Sequence, residues 1–221
     1  MRKVENEFLE TWNRTHRKHF HGTINYDDWL TKEPFYNIIK NENGKFLDLG
    51  CGQGNNTLFL TQLGKDVLSV DLSTVALNIV KENIPNSKIM QLDMSKSLPF
   101  KDNEFDIVVS DLSLQYFDKI TTFKIIDELS RVIKNKGYLI LRLSSINDVN
   151  YGAIQGKKLE EHYYFVEKRN KRYYDENDIR YFFNKWNILY IKEEASVLQR
   201  YEYERDYFIV LVQNIKRKNE I

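Results

Sequence analysis

The stretch Phe46-Leu47-Asp48-Leu49-Gly50-Cys51-Gly52-Gln53-Gly54-Asn55-Asn56-Thr57 constrains this chain more than any other. An apolar run of strand character feeds directly into a Gly-x-Gly-x-Gly turn, with an acid two positions ahead of the first glycine. A turn leaving a strand this abruptly needs backbone angles with positive φ, and a Cβ would keep a nucleotide from lying on the main chain, so glycine is favoured on both counts. Downstream, strand and helix signals alternate. The pattern predicts strands at 45–49, 66–71, 88–92, 105–110 and 138–143, and helices at 57–63, 74–83 and 121–134, with Ser73 as a cap and Gly137 closing the last helix. Alternation of this kind means βαβ units, a parallel sheet and right-handed crossovers.

Two helical pieces are expected ahead of the first strand, at about 5–19 and 26–40, separated by His21-Gly22-Thr23. Residues 146–174 are polar and aromatic without periodicity, and read as a lid over the C-terminal edge of the sheet. Asp175-Glu176-Asn177-Asp178 resembles a capping arrangement opening a helix to about 186, and the runs 187–192 and 206–213 read as an antiparallel strand pair. The tail Lys216-Arg217-Lys218 is expected to be solvated and frayed. With 221 residues, 42% of them hydrophobic, one domain is expected: a helical cap at 1–43, a cofactor-binding core at 44–145, the lid at 146–174, and a closing helix and strand pair at 175–215.

A net charge of +1 gives no global field to hold a polyanion, which argues against nucleic acid as a partner. The single cysteine, Cys51, excludes an intramolecular disulfide, and no apolar stretch approaches the length of a membrane helix. The N-terminal residues carry no hydrophobic signal core, so the expectation is a cytoplasmic protein, monomeric or homodimeric, with no membrane partner.

Asp48 decides which nucleotide suits the turn. A dinucleotide site sets a pyrophosphate there and wants its third glycine one position later, where this chain has Asn55. A carboxylate beside the turn would repel that pyrophosphate, yet would attract the α-ammonium of an amino acid joined to adenosine through a cationic sulfonium. S-adenosylmethionine therefore fits better than NAD. Asp71 ends the second strand about twenty residues past the turn, where a carboxylate can accept both ribose hydroxyls; its structural alternative is capping the next helix. Asp93 ends the third strand, placed to accept from an adenine amino group while the Met94 backbone N–H donates to a ring nitrogen.

From Lys45 to Ser145 the chain resembles the core of the class I S-adenosylmethionine-dependent methyltransferases. The resemblance rests on Leu47-Asp48-Leu49-Gly50-Cys51-Gly52-Gln53-Gly54, Val70-Asp71-Leu72-Ser73, Leu92-Asp93-Met94, the run from Phe105 to Phe117, and the run from Glu128 to Leu139. It implies a doubly wound, seven-stranded, Rossmann-like α/β sheet, mostly parallel with an antiparallel last strand and helices on both faces. It also implies S-adenosylmethionine as cofactor and S-adenosylhomocysteine as product, with Asp48, Gly50, Cys51, Gly52, Gly54, Asn56, Asp71, Leu72, Asp93, Met94 and Asp111 as the expected cofactor-binding set. Residues 174–186 are loosely similar to the tail of the tellurite-resistance methyltransferases.

The acceptor is constrained mainly by what is missing. The fourth-strand exit, Ser110-Asp111-Leu112-Ser113-Leu114, lacks the Asn/Asp-Pro-Pro-Tyr motif of adenine and glutamine methyltransferases, and no set of acids marks a divalent-metal site, so no metal is expected. His16-x-x-His19-x-His21 lacks a cysteine or matched acid to complete a tetrahedral set. A small-molecule acceptor is expected, methylated by in-line displacement, with Trp12, Gln115, Tyr163 and Tyr164 as candidate binding residues and His162 and Tyr116 as candidate catalytic ones. Cys51 reads as a spacer rather than a nucleophile. The run Lys168-Arg169-Asn170-Lys171-Arg172 is either a solvated turn or, over an active site, an attractor of anionic acceptors. The competing readings are an RNA or protein methyltransferase, a nicotinamide-dependent oxidoreductase, and a noncatalytic cofactor-binding regulatory partner.

Overall fold

The computed structural model describes residues 2–198 and 201–216, with side chains from residue 7 onward. Two compact units make up the chain, Met1–Met94 and Ser95–Ile221. The division falls inside the stretch expected to be one cofactor-binding core.

The first unit contributes three strands to a seven-stranded sheet: β1 (Lys45–Leu49), β2 (Asp66–Asp71) and β3 (Lys88–Gln91), in the order β3-β2-β1. All pair in parallel, with Lys45 opposite Asp66 and Leu68 opposite Lys88. Phe46, Leu47 and Leu49 are buried, as a central parallel strand covered on both faces requires. The helices are α1 (Arg2–His19), α2 (Phe35–Asn41), α3 (Asn55–Gln62) and α4 (Thr74–Asn83). Ser73 caps α4 as expected, its Oγ accepting from the Ala76 N–H at 3.2 Å. The continuous helix expected at 26–40 is instead a short 3-10 turn over Asp28–Thr31 followed by α2. Pro34 separates them, because proline has no N–H for the ladder and restricts the residue before it.

Four further strands lie in the second unit: β4 (Phe105–Asp111), β5 (Ile133–Ser144), β9 (Asn187–Ser196) and β10 (Arg205–Gln213), in the order β4-β5-β10-β9. β4 and β5 are parallel, and β10 is antiparallel to both its neighbours. The expected mixed α/β sheet is thus present, with helices α5 (Lys119–Val132) and α6 (Glu176–Phe182) in this unit. Gly137 does not close α5. It lies inside β5, where a Cβ would come within 2.7 Å of the Asp106 carbonyl oxygen, so the close approach of β4 requires glycine.

The aperiodic 146–174 segment is more ordered than expected. It forms a separate antiparallel sheet of β6 (Lys157–Glu160), β7 (Tyr163–Val166) and β8 (Arg169–Arg172). Lys168 is exposed in the turn before β8, whereas Lys171 and Arg172 are buried, so the basic run is a solvated turn only at its start. Lys216, expected to fray, donates from Nζ to the Asn103 side chain at 2.5 Å and the Arg131 carbonyl at 3.1 Å. Arg217 and Lys218 lie outside the described residues. Among the described residues no helix is long and apolar enough to cross a membrane.

Candidate active site

In the first unit the glycine turn folds back under β2. Gly50, Gly52 and Gly54 adopt φ of 74°, 52° and 92°, and the N–H groups of Gly50 and Cys51 both donate to the Val70 carbonyl, at 2.8 and 2.9 Å. The Gly52 N–H donates to Asp71 Oδ2 at 2.9 Å, while Asp71 Oδ1 accepts from the Ser73 N–H at 2.8 Å. One carboxylate therefore braces both loops that leave β1 and β2. Asp48 is fully buried, accepting from Thr57 Oγ1 at 2.7 Å, and that hydroxyl also lies 2.7 Å from Ser69 Oγ. Asp93 and Met94 are half-buried after β3, and Leu72 is half-buried beside Asp71.

The electrostatics of the turn are legible at Cys51. Burial first, then the charges of Asp71 and Asp48, push its thiol well above the ordinary cysteine range. A position where two carboxylates disfavour a thiolate also disfavours a pyrophosphate, and favours the cationic sulfonium and ammonium of S-adenosylmethionine. The residues present therefore fit that cofactor. They also leave Cys51 as a neutral, unreactive spacer.

Helix α1 reaches the same turn, a relation no sequence pattern announced. Asn13 is buried, its Oδ1 accepting from Ser73 Oγ at 2.8 Å, and Gln53 Nε2 donates to the His16 carbonyl at 3.3 Å. A Cβ on Gly52 would meet His16 Cε1 at 3.4 Å. Trp12 stacks along α1 on the His16 ring, 6.1 Å between centroids. Asn56 is held from the other side by Trp29 Nε1 at 3.1 Å.

In the second unit Asp111 lies at the end of β4 in a buried two-point pair with Arg142, Nε to Oδ1 and Nη2 to Oδ2, both 2.7 Å. Leu112 follows with φ of 51°, a left-handed conformation that a leucine adopts only when its surroundings enforce it. Gln115 is fully buried between Ser144, whose Oγ donates to it at 2.5 Å, and Tyr116, whose hydroxyl accepts from Gln115 Nε2 at 3.2 Å. Burial raises the Tyr116 phenol above its ordinary value, so it stays protonated at neutral pH. Tyr163 and Tyr164 are buried; the Tyr163 hydroxyl donates to the Tyr116 carbonyl at 3.4 Å.

His162 is placed differently from a free base. Its Nδ1 lies 2.6 Å from Asp178 Oδ2, and Asp178 is also the reciprocal acid of the capping box that opens α6 from Asp175. This makes His162 a brace between the small sheet and α6. His162, Asp175 and Asp178 offer ligand atoms within 4.8 Å of one another, but the capping hydrogen bonds already account for that closeness.

A methyltransferase-domain family profile matches residues 47–141. An uncharacterised methyltransferase of Synechocystis is 34% identical over 108 residues, 49% of this chain and 50% of the relative. The chain spans about half the length of the curated relatives it matches. Among solved structures, an S-adenosylmethionine-dependent methyltransferase from Methanosarcina mazei superposes with a TM-score of 0.71 at 19% identity, over 84% of this chain and 99% of that one. A 1,6-didemethyltoxoflavin N1-methyltransferase from Burkholderia thailandensis, solved with that compound and S-adenosylhomocysteine, gives a TM-score of 0.65 at 13% identity, over 96% and 88% of the two chains. Residues 47–141 thus match a methyltransferase domain, and the seven-stranded sheet gives the chain the fold of solved S-adenosylmethionine-dependent methyltransferases.

Proposed function

We propose that this chain transfers the methyl group of S-adenosylmethionine to a small-molecule acceptor, releasing S-adenosylhomocysteine. The observation that carries the reading is the placement of two carboxylates at the glycine turn, Asp48 buried in β1 and Asp71 accepting from the Gly52 N–H at 2.9 Å. The cofactor supplies an activated methyl group on a sulfonium, so the protein must bind, orient and exclude water.

On this reading Asp71 accepts the ribose hydroxyls, and Asp93 with the Met94 N–H reads the adenine. Gly50, Gly52 and Gly54 let the backbone approach the cofactor, flanked by Cys51, Asn56 and Leu72. Asp48, wholly buried, acts through its field and by fixing Thr57. Asp111 serves by holding Arg142 and the exit of β4. Tyr116, protonated and held by Gln115, orients the acceptor by donating a hydrogen bond rather than by taking a proton. The small-molecule assignment is supported by the net charge of +1 and by the missing Asn/Asp-Pro-Pro-Tyr motif.

Calorimetric titration with S-adenosylmethionine, S-adenosylhomocysteine and NADH tests this. Micromolar binding of the first two and none of NADH is expected. Asp71→Asn, chosen to keep one acceptor for the loop N–H groups, should weaken binding roughly ten- to hundredfold, the value of hydrogen bonds to a charged acceptor. Preference for NADH, or no binding of either sulfur compound by a folded protein, would overturn the proposal.

A further inference from the structure

The second unit buries more positive than negative charge at one place. Arg205, at the start of β10 and 2% exposed, pairs with fully buried Asp148: its Nε donates at 3.1 Å and its Nη2 donates to the same oxygen. Lys171 of β8, 9% exposed, points at that oxygen too, its Nζ 3.9 Å away. Two buried cations thus share one carboxylate. Of the charges nearby that are not buried, Glu167 and Arg169 act on Lys171 with opposite signs, and the half-buried Asp206, raised by burial and by Asp148, interacts with Arg205 from the next position of β10. Lys171 has one hydrogen-bond acceptor among the described residues, the Tyr151 carbonyl at 3.0 Å, for three N–H donors.

The surroundings are aromatic. Arg205 lies against both Tyr151 and Tyr201, 4.4 and 4.5 Å from rings that pack edge to face, and Lys171 lies 4.8 Å from the Tyr173 ring. Arg205 Nη2 also donates to Ser144 Oγ at 2.8 Å. A continuous polar chain therefore runs from Asp148 through Arg205, Ser144 and Gln115 to the Tyr116 hydroxyl. The acceptor-side residues read from the sequence and the buried cations belong to one network.

A buried surplus of one positive charge is costly unless it is neutralised. Either Lys171 gives up its proton or a bound anion supplies the missing charge. We propose that this cluster recognises a carboxylate on an aromatic or similarly planar acceptor, with Lys171 and Arg205 binding the carboxylate and the half-buried Tyr151 and Tyr201 flanking the ring. One surplus charge matches a monoanion rather than a phosphate dianion. Burial, and after it the Arg205 charge, brings the Lys171 ammonium down to about 7, so the lysine is poised to regain its proton when an anion arrives.

That the ligand is the methyl acceptor rests on the proposed function; anion binding does not, so the test is run without cofactor. Benzoate, neutral benzamide and phenyl phosphate are titrated calorimetrically into the full chain. Benzoate should bind at least about tenfold tighter than benzamide, and Lys171→Met should remove that preference while Lys171→Arg keeps it. In parallel, 13C NMR of the lysine ε-carbons of the unsubstituted protein should show one midpoint near 7 that rises by about one pH unit in saturating benzoate. Equal binding of benzoate and benzamide, or a Lys171 midpoint that benzoate leaves in place, would overturn the proposal. Tighter binding of phenyl phosphate than of benzoate would overturn the monoanion assignment. Loss of S-adenosylhomocysteine binding alone would instead count against the methyl-transfer reading.

Discussion

Three glycines share a positive φ within five residues, yet space divides Gly54 from Gly52. At Gly54 a Cβ would lie 2.9 Å from Val80 Cγ2 of α4 and 3.1 Å from Cδ1 of Ile84, which caps that helix, so the glycine lets α4 pack against the turn. At Gly52 the same atom meets His16 Cε1 at 3.4 Å, an ordinary contact. Backbone strain of about 1–2 kcal/mol applies to alanine at either position. Overpacking of about 1–3 kcal/mol is added only at Gly54. Urea unfolding should therefore show Gly54→Ala costing about 2–5 kcal/mol and Gly52→Ala about 1–2 kcal/mol. Because the clash is with Val80, combining Gly54→Ala with Val80→Ala should cost less than the sum of the two, by roughly 0.5–2 kcal/mol. Strict additivity would show that Val80 is not what requires glycine there.

At the scale of elements, α5 is tied to the loop before β4 by one ion-pair network. Arg131 donates to the Phe100 and Leu98 carbonyls at 2.7 and 2.9 Å and to Glu128 at 2.8 Å, while the Leu98 N–H donates to Glu128 Oε2 at 2.7 Å. The Arg131 hydrogen bond, aided by that of Leu98, holds the Glu128 carboxyl down to about 2. A folded value below the unfolded one contributes stability above about pH 5 that is lost as pH falls toward 2. With Glu128 about a quarter exposed, the loss should be about 1–2 kcal/mol, and Glu128→Gln should flatten the acid limb of the stability curve by that amount. An unchanged acid limb would remove the network from the account. The elements themselves were legible where a local pattern reports them. Ser73, the 175–178 capping box and the apolar strands form as read, because each depends on neighbours a few residues away. The 157–172 sheet escaped because its strands are four residues long and mix charge with aromatics, which leaves no period to detect. The site divides in the same way. The glycine turn is a contiguous signal and Asp71 is read from the end of the next strand, whereas Arg205 meets Asp148 across 57 positions, and Asn13 meets Ser73 across 60. Nothing local to either residue in those pairs reports its partner.

For the whole molecule, cofactor recognition is best read through stability, because any ligand that binds the folded chain alone stabilises it by mass action. At a hundred times its dissociation constant the gain is about 2.7 kcal/mol. For a chain of 221 residues each kcal/mol moves the melting midpoint by about 2–4 °C, so S-adenosylhomocysteine should raise it by about 5–10 °C. NADH at equal concentration should shift it by less than about 1 °C, because its pyrophosphate would meet the field of Asp48 and Asp71 at the turn. The contrast separates two uses of one glycine-rich turn that differ in charge rather than in shape. An oxidoreductase would show the reverse order, and a glycine turn serving only as a strand-to-helix connection would show no shift with either. Asp71→Asn gives the internal control: if its own melting midpoint is preserved while the S-adenosylhomocysteine shift at the same concentration falls below about 4 °C, the carboxylate acts on the ligand and not merely on the loops it braces.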